Sequence, residues 1–181
     1  MKNLMIFAVA LVLFSAPAVW AEFLEIEASQ IATIEPADKS AGPRIMVQWD
    51  LPKDLSGKII DGAVVTMTVP HDGDEPFEVD VYPMNKSWDA ATAKWAEGWE
   101  KAGGDFDEEL PSPGIVTEQN GGKISADVYV TVKSQIEGSV ANFGFILISQ
   151  ADSQSKMKTV SANDAAGLAD AKLIIAYRNR R

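Results

Sequence analysis

The sequence lacks cysteine and has a single histidine, His71. Disulfide bonds are therefore excluded, so the fold must be held by its hydrophobic core. A catalytic zinc site usually takes several histidine ligands, which excludes that class of enzyme. A catalytic triad needs a nucleophile and an orienting group beside its base, and no serine lies in a recognisable nucleophile motif. We interpret His71, which lies in the turn-like stretch PHDGDEP, as a surface residue.

Basic residues are also scarce. Sixteen Lys and Arg stand against 26 Asp and Glu, which gives a formal net charge of −10. This excess of negative charge argues against nucleic acid and anionic membranes as partners. It also disfavours polyanionic polysaccharides unless a cation bridges the two. A carboxylate pair for glycoside cleavage stays open, because acids are plentiful and no spacing singles out a pair.

Long apolar runs are absent except at the N-terminus. There Lys2 precedes LMIFAVALVLF, and the small residues of SAPAVWA follow. This order is typical of a secretory signal peptide, with cleavage expected after Ala21. A transmembrane anchor would need about 20 apolar residues, more than the run supplies. We therefore expect residues 1–21 to be removed and residues 22–181 to form one domain, secreted or periplasmic, without a membrane span.

The remaining sequence is dominated by short stretches in which apolar and polar residues alternate, as in β-strands. The predicted strands cover residues 23–28, 30–34, 44–51, 63–69, 77–84, 123–133, 143–149 and 168–177. The stretch 143–149 is mostly apolar, which predicts burial on both faces or nearly so. Many short strands between Gly, Pro and Asp turns predict an all-β sandwich or barrel.

Two stretches lack this alternation. Residues 89–99 are rich in alanine and predict a short helix or a helical turn. Residues 100–122 show no clear periodicity and carry a Gly-Gly pair, the sequence PSPG and a run of acids. Loops of this length inside a compact domain are usually functional or disordered.

Three of the five tryptophans, Trp88, Trp95 and Trp99, lie within twelve residues. They are candidates for a platform on which sugar rings stack, and the alternative is that they pack the core. We favour core packing for Trp88 and Trp95. Trp99 borders the glycine-rich stretch, so it is the candidate ligand-binding residue.

Four acids follow Trp99 closely: Asp105, Asp107, Glu108 and Glu109. Calcium takes six to eight oxygen ligands, so these residues are candidate calcium ligands. Their spacing matches no recognised calcium loop, and solvated charge is the favoured interpretation. The same holds for a second group, Asp72, Asp74 and Glu75. We predict no other cofactor.

Several motifs together resemble the DNRLRE-type domain, also classed as carbohydrate-binding module family 96. They are Val81-Tyr82, Trp88, Thr92-Ala-Lys-Trp95, Asn142-Phe-Gly-Phe-Ile-Leu and Ala171-Lys-Leu-Ile-Ile-Ala-Tyr177. The resemblance implies a jelly-roll β-sandwich of the kind found on exported and cell-surface proteins, some of which bind polysaccharide. The sequence departs from the family pattern at Ala171, where proline is usual, and in the acidic, glycine-rich insertion after Trp95.

We therefore expect an exported, non-catalytic, jelly-roll-like antiparallel β-sandwich that binds polysaccharide or another surface polymer. The alternative is a structural or adhesive protein of the envelope or matrix that has no small ligand. A jelly-roll lyase or hydrolase is less favoured, because His, Tyr, Arg and Lys are too scarce to suggest a converging catalytic set.

Overall fold

A computed structural model describes residues 21–72, 75–116, 122–150, 157–160 and 165–180. Within these ranges the chain forms nine β-strands, two short α-helices and one turn of 3-10 helix at Lys53–Leu55. The strands are β1 (Glu22–Glu27), β2 (Gln30–Ile34), β3 (Arg44–Gln48), β4 (Ile59–Thr68), β5 (Phe77–Pro83), β6 (Ser112–Val116), β7 (Lys123–Asp127), β8 (Phe145–Ser149) and β9 (Lys172–Arg178). The helices are α1 (Tyr129–Ile136) and α2 (Ala165–Asp170).

The strands form two antiparallel sheets, one of four strands in the order β1-β9-β4-β7 and one of five in the order β2-β3-β8-β5-β6. The pairs β1/β9, β3/β8, β4/β7 and β5/β6 are nested, since each joins an earlier strand to a correspondingly later one. This nesting is the arrangement of a jelly roll, and β2 is added at the edge beside β3. The predicted all-β, jelly-roll-like sandwich is confirmed.

The main core fills the space between the two sheets. Alternate residues of each strand point inward, as the period of two requires; Val79 and Val81 of β5 are fully buried. Trp49, only 1% exposed, packs edge-on against Phe145 with 6.1 Å between ring centroids. Its Nε1–H donates to the carbonyl oxygen of Ala171 at 3.1 Å, so the polar atom of this buried ring is satisfied.

A second, smaller core lies on the outer face of the five-stranded sheet. Ala32, Met46, Ile146 and Tyr82 stand side by side across four strands of this sheet. The segment 84–111, here called the tryptophan loop, covers this row with its aromatic side chains. Strand β8 is therefore apolar on both faces, as predicted, because the sandwich lies on one side of it and the tryptophan loop on the other.

The predicted strand 123–133 is wrong in its second half. Strand β7 ends at Asp127, whose Oδ1 accepts the N–H of Tyr129 at 2.9 Å, and α1 begins there. Within α1, Val132 is buried, whereas Val130 is 64% exposed. The valines that alternate in sequence therefore point in different directions around a helix.

Two further predictions need correction. The stretch 100–122, expected to lack regular structure, contains β6, whose Pro113 is tolerated because β6 lies at the edge of its sheet. The strand expected from residue 168 begins only at Lys172, because α2 precedes it. Residues 89–99, predicted to form a short helix or a helical turn, form turns. The N–H of Ala93 donates to the carbonyl of Asp89 at 2.9 Å.

The predicted signal peptide, apart from Ala21, lies outside the described residues. Across the described ranges, the helices are too short and too polar to cross a membrane.

Candidate functional site

The tryptophan loop is closed at its base by backbone hydrogen bonds. The N–H of Asn85 donates to the carbonyl of Asp105 at 2.9 Å, and the N–H of Asp107 donates to that of Pro83 at 2.9 Å. Met84 and Phe106 face each other in an isolated antiparallel bridge. The loop thus leaves the end of β5 and returns beside it, which holds the intervening tryptophans over the sheet.

Arg44, on the outer face of β3, ties the loop to the sheet. Its Nη1–H donates to the carbonyl oxygen of Gly103 at 2.6 Å. Its guanidinium lies 4.8 Å from the ring centroid of Trp95 and 5.5 Å from that of Phe106, within the range of cation–π attraction. Burial lowers the pKa of Arg44 from its ordinary value and the negative charge of Glu108 opposes that shift, so the group stays charged.

The close approach of Arg44 explains why glycine occupies position 103. Gly103 has φ +95°, a left-handed conformation that glycine adopts without strain. A Cβ at this position would also collide with the Arg44 guanidinium and press on Trp95. A larger residue here would push the arginine away from the rings it covers.

All three tryptophans of the loop are half-buried. Trp88 and Trp95 pack against the second core, as expected, but they are half-buried and not buried, because the loop is a single layer on the sheet and solvent reaches its outer side. The partial exposure expected for Trp99 is confirmed. The Nε1–H of Trp88 donates to the carbonyl of Phe143 at 2.8 Å, and that of Trp99 donates to the carbonyl of Lys94 at 2.7 Å.

Two clefts flank the segment 93–97. The first, of about 540 Å³, is called the Trp99 cleft. Both Trp88 and Trp99 contribute to its wall, and the other lining residues are Ser87, Asp89, Thr92, Ala93, Glu97 and Gly98. Aromatic rings beside a few carboxylates and hydroxyls are the usual composition of a small-ligand site.

The second, of about 670 Å³, is called the Trp95 cleft. It lies between the segment 93–97 and the connection from β2 to β3. Trp95 supplies its aromatic surface, and Glu35, Asp38 and Lys94 supply charge. No local pattern predicts this cleft, because its two walls are distant along the chain.

The four candidate calcium ligands act locally in the loop. The carboxylate of Asp105 accepts the backbone N–H groups of Glu100 and Lys101 at 2.9–3.0 Å. Asp107 Oδ1 accepts the N–H of Glu109 at 3.0 Å, and Glu108 lies 3.5 Å from Lys101 Nζ. No group of three metal-binding side chains converges among the described residues. The geometry therefore gives Asp105 and Asp107 a role in shaping the turn, and calcium binding stays an untested prediction.

His71 and the second acidic group belong to the connection between β4 and β5. Asp72 pairs with Lys158 at 2.5 Å, while residue 74 lies outside the described ranges. His71 is half-buried, not fully at the surface as expected. Its Nδ1 lies 2.9 Å from the carbonyl oxygen of Val69, and its ring packs on Phe77 at 5.5 Å between centroids. These contacts give the histidine a structural role in the turn.

Sequence reasoning missed Arg44 and Glu97. Arg44 occupies an outward position of a strand whose next outward residue, Met46, is apolar, and that mismatch was the available signal. Glu97 lines both clefts, but its position between them depends on the path of the loop, which no local pattern predicts.

Comparisons of the chain with models of protein families and with curated proteins give no match. The likeness to the DNRLRE-type domain therefore rests on the sequence motifs alone and stays a prediction.

Proposed function

We propose that the protein is an exported, non-catalytic β-sandwich that binds polysaccharide through the Trp99 cleft. The observation that carries this proposal is the pairing of Trp88 and Trp99 in one cleft whose other walls are largely polar. The motif resemblance to a carbohydrate-binding module and the signal-peptide pattern of residues 1–21 support it further.

The lining of the cleft suits a sugar ring. A pyranose has an apolar C–H face and a rim of hydroxyls, so it needs an aromatic surface below and hydrogen-bonding groups around it. Trp99 supplies the surface, and Ser87, Asp89 and Thr92 supply donors and acceptors. Because its Nε1–H is already held by the carbonyl of Lys94, the ring is oriented before a ligand arrives, which reduces the entropic cost of binding.

The carboxylates of the cleft are arranged for binding more than for catalysis. A general acid in glycoside cleavage is a carboxyl kept protonated by apolar surroundings. Asp89 Oδ1 instead accepts the N–H of Ala91 at 2.9 Å. Glu97, whose side chain is 70% exposed, pairs with Lys94 at 2.8 Å. Carboxylate oxygens in such settings can accept hydrogen bonds from ligand hydroxyls.

The first experiment compares Trp99→Ala with the wild type by affinity electrophoresis in gels that contain a panel of polysaccharides. We expect the substitution to weaken retention at least about tenfold, equivalent to roughly 1.4 kcal/mol, and to leave the melting temperature nearly unchanged. The matched control is Phe23→Ala, which removes an aromatic ring that is 73% exposed on β1, away from the loop. This control should migrate like the wild type.

Two results would contradict the proposal. If Trp99→Ala unfolds the protein, the ring belongs to the core and the site assignment fails. If no polysaccharide retards the wild type, the binding function itself fails.

The alternative of a structural or adhesive protein has its own supporting observation. Several large apolar side chains are exposed outside the clefts, among them Phe23, Val130 at 64% and Ile115 at 57%. Exposed apolar surface can mark contact with other macromolecules. Under this alternative, substitution of these residues, and not of Trp99, would impair attachment of the protein to the cell surface or matrix.

A further inference from the structure

We infer that the Trp99 and Trp95 clefts form one groove, and that its ligand is an uncharged oligosaccharide chain long enough to occupy both. This inference rests on the proposed function and adds a second subsite and a class of ligand to it.

Trp95 is half-buried, so part of its side chain is exposed to solvent. The guanidinium of Arg44 covers one side of the ring at 4.8 Å from its centroid. Arg44 is not among the residues that line the Trp95 cleft, whereas Trp95 is. Trp95 therefore borders the cleft while Arg44 does not, and we take the ring surface away from the guanidinium as the surface available to a sugar.

The indole nitrogen of Trp95 supports the same conclusion. Trp88 and Trp99 each donate Nε1–H to a backbone carbonyl. Among the described residues, Trp95 Nε1–H has no protein acceptor. A half-buried indole whose donor is unused can give that hydrogen bond to a ligand hydroxyl.

The two clefts are adjacent because they share two lining residues, Ala93 and Glu97. The small side chain of Ala93 raises little barrier between them. Glu97 borders both, so its carboxylate can accept hydroxyls from either side. Each cleft also falls within the size range of ligand pockets, about 300–1,000 Å³. A sugar chain that crosses the segment 93–97 beside Ala93 and Glu97 could therefore occupy both clefts.

The charges of the groove select against acidic glycans. The Trp99 cleft has two carboxylates, Asp89 and Glu97, in its lining and no Lys or Arg. In the Trp95 cleft the only lysine, Lys94, is paired with Glu97 at 2.8 Å.

Asp38 adds to the negative charge of the Trp95 cleft. Hydrogen bonds from Ser40 lower its pKa, so it is ionised at neutral pH. Glu97 and Glu35 form ion pairs with Lys94 and Lys39, which leaves Asp89 in one cleft and Asp38 in the other as lining carboxylates with no ion pair among the described residues. A polyuronate or sulfated chain would meet this negative charge in both clefts, whereas an uncharged chain would not be repelled.

The test uses a cleft-blocking variant and a control of identical chemistry. Ala96 is exposed and lines only the Trp95 cleft of the two, so Ala96→Arg fills that cleft without disturbing the core. Ala102 is exposed in the same loop and lines neither cleft, so Ala102→Arg adds the same charge and bulk elsewhere. Melting curves of both variants should match that of the wild type.

Binding is measured by calorimetry with two sets of oligosaccharides, from disaccharides to hexasaccharides. The neutral set contains β-1,4-linked glucose, xylose and mannose oligomers, and the acidic set contains oligogalacturonates and oligoalginates. We expect wild-type affinity to rise at least tenfold from disaccharide to hexasaccharide within one neutral series, with no binding of the acidic set. Ala96→Arg should abolish that rise and leave disaccharide affinity unchanged, while Ala102→Arg should behave like the wild type.

The outcomes separate this inference from the proposed function. If Trp99→Ala abolishes binding but Ala96→Arg has no effect on any chain length, the second subsite is overturned and the proposed function stands. If an acidic series binds as tightly as any neutral one, the ligand class is overturned while polysaccharide binding stands. If the wild type binds no oligosaccharide and no polysaccharide, both fail.

Discussion

Arg44 is the residue that couples the tryptophan loop to the sandwich. Its guanidinium joins a backbone carbonyl, Gly103, to two aromatic rings, Trp95 and Phe106. The planar shape of the group matters, because lysine has the same charge but can neither stack nor present a fork of donors. The position of the clefts therefore depends on one side chain that is not itself part of either lining.

Replacement of Arg44 by methionine should destabilise the protein by about 1–3 kcal/mol, since it leaves the Gly103 carbonyl without its charged donor. Arg44→Lys should cost nearly as much, because the stacking is lost although the charge remains. Urea denaturation followed by tryptophan fluorescence measures both. Lys158→Met is the control: Lys158 pairs with Asp72 in an ion pair whose side chains are 51% and 73% exposed, so its loss should cost less than about 1 kcal/mol. Equal costs at both positions would contradict the coupling role of Arg44.

Gly144 shows how a motif residue of the suggested family works. It has φ +80°, and a Cβ there would collide with the carbonyl oxygen of Val47. Its N–H donates to Asn142 Oδ1 at 3.1 Å, and Asn142 Nδ2–H donates to the carbonyl of Trp49 at 2.7 Å. The Asn-Phe-Gly-Phe sequence thus shapes the entry to β8 and is explained by the fold, without reference to a ligand.

At the scale of elements, β8 is the strand on which both cores depend. Phe145 packs in the main core and Ile146 in the second core, and both are at most 2% exposed. In an ordinary two-layer sandwich the outward side chain of a strand would face water. Here it contacts the tryptophan loop.

Truncation of either side chain of β8 should therefore be costly. We expect about 3–5 kcal/mol for Phe145→Ala and about 2–5 kcal/mol for Ile146→Ala. Ile115→Ala, at a strand position that is 57% exposed, should change stability by less than about 0.5 kcal/mol. The measurement is the free energy of unfolding in urea. A cost below 1 kcal/mol for Ile146→Ala would mean that the tryptophan loop does not seal the outer face.

Elements with clean alternation or continuous apolarity were predictable, and those with conflicting local signals were not. Strands β2, β3 and β8 follow directly from their patterns. Strand β6 was missed because its Pro and Gly are typical of turns, and only its place at the sheet edge makes them acceptable. Helix α1 was missed because Tyr129, Val130 and Val132 favour strand by propensity. The four-residue spacing of the buried Val128 and Val132 favours a helix instead, and the hydrogen bond from the Tyr129 N–H to Asp127 Oδ1 forms the turn that leads into it.

The candidate site was predictable only in part, for a related reason. The partial exposure of Trp99 follows from its neighbours in sequence, Gly98 and the charged stretch after it. The half-burial of Trp95 follows from Arg44 on a strand far away in sequence, so no local pattern could have revealed it. Clefts depend on which loops lie next to each other, and that is a property of the assembled fold.

At the scale of the whole molecule, the expected processing site lies directly before strand β1. Strand β1 begins at Glu22 and pairs with β9 from that residue onward. Cleavage after Ala21 would therefore leave every strand of the sandwich complete.

The intact mass of the exported protein should correspond to a chain that begins at Glu22. A large residue at the cleavage position obstructs signal peptidase, so Ala21→Leu should leave the precursor uncut in the membrane fraction. A wild-type chain that retains Met1 in the membrane fraction would contradict the export prediction.

The order of strands in the four-stranded sheet has a consequence for how the protein is made. Strand β9, the last along the chain, lies between β1 and β4 in the interior of that sheet. The first strand therefore has no lateral partner in its sheet until the last has been synthesised, since Glu22 pairs with Tyr177. Contacts so distant in sequence slow folding, and an N-terminal fragment emerging from the ribosome cannot complete the sheet. The sandwich is in this way kept from closing until Lys172–Arg178 has been synthesised.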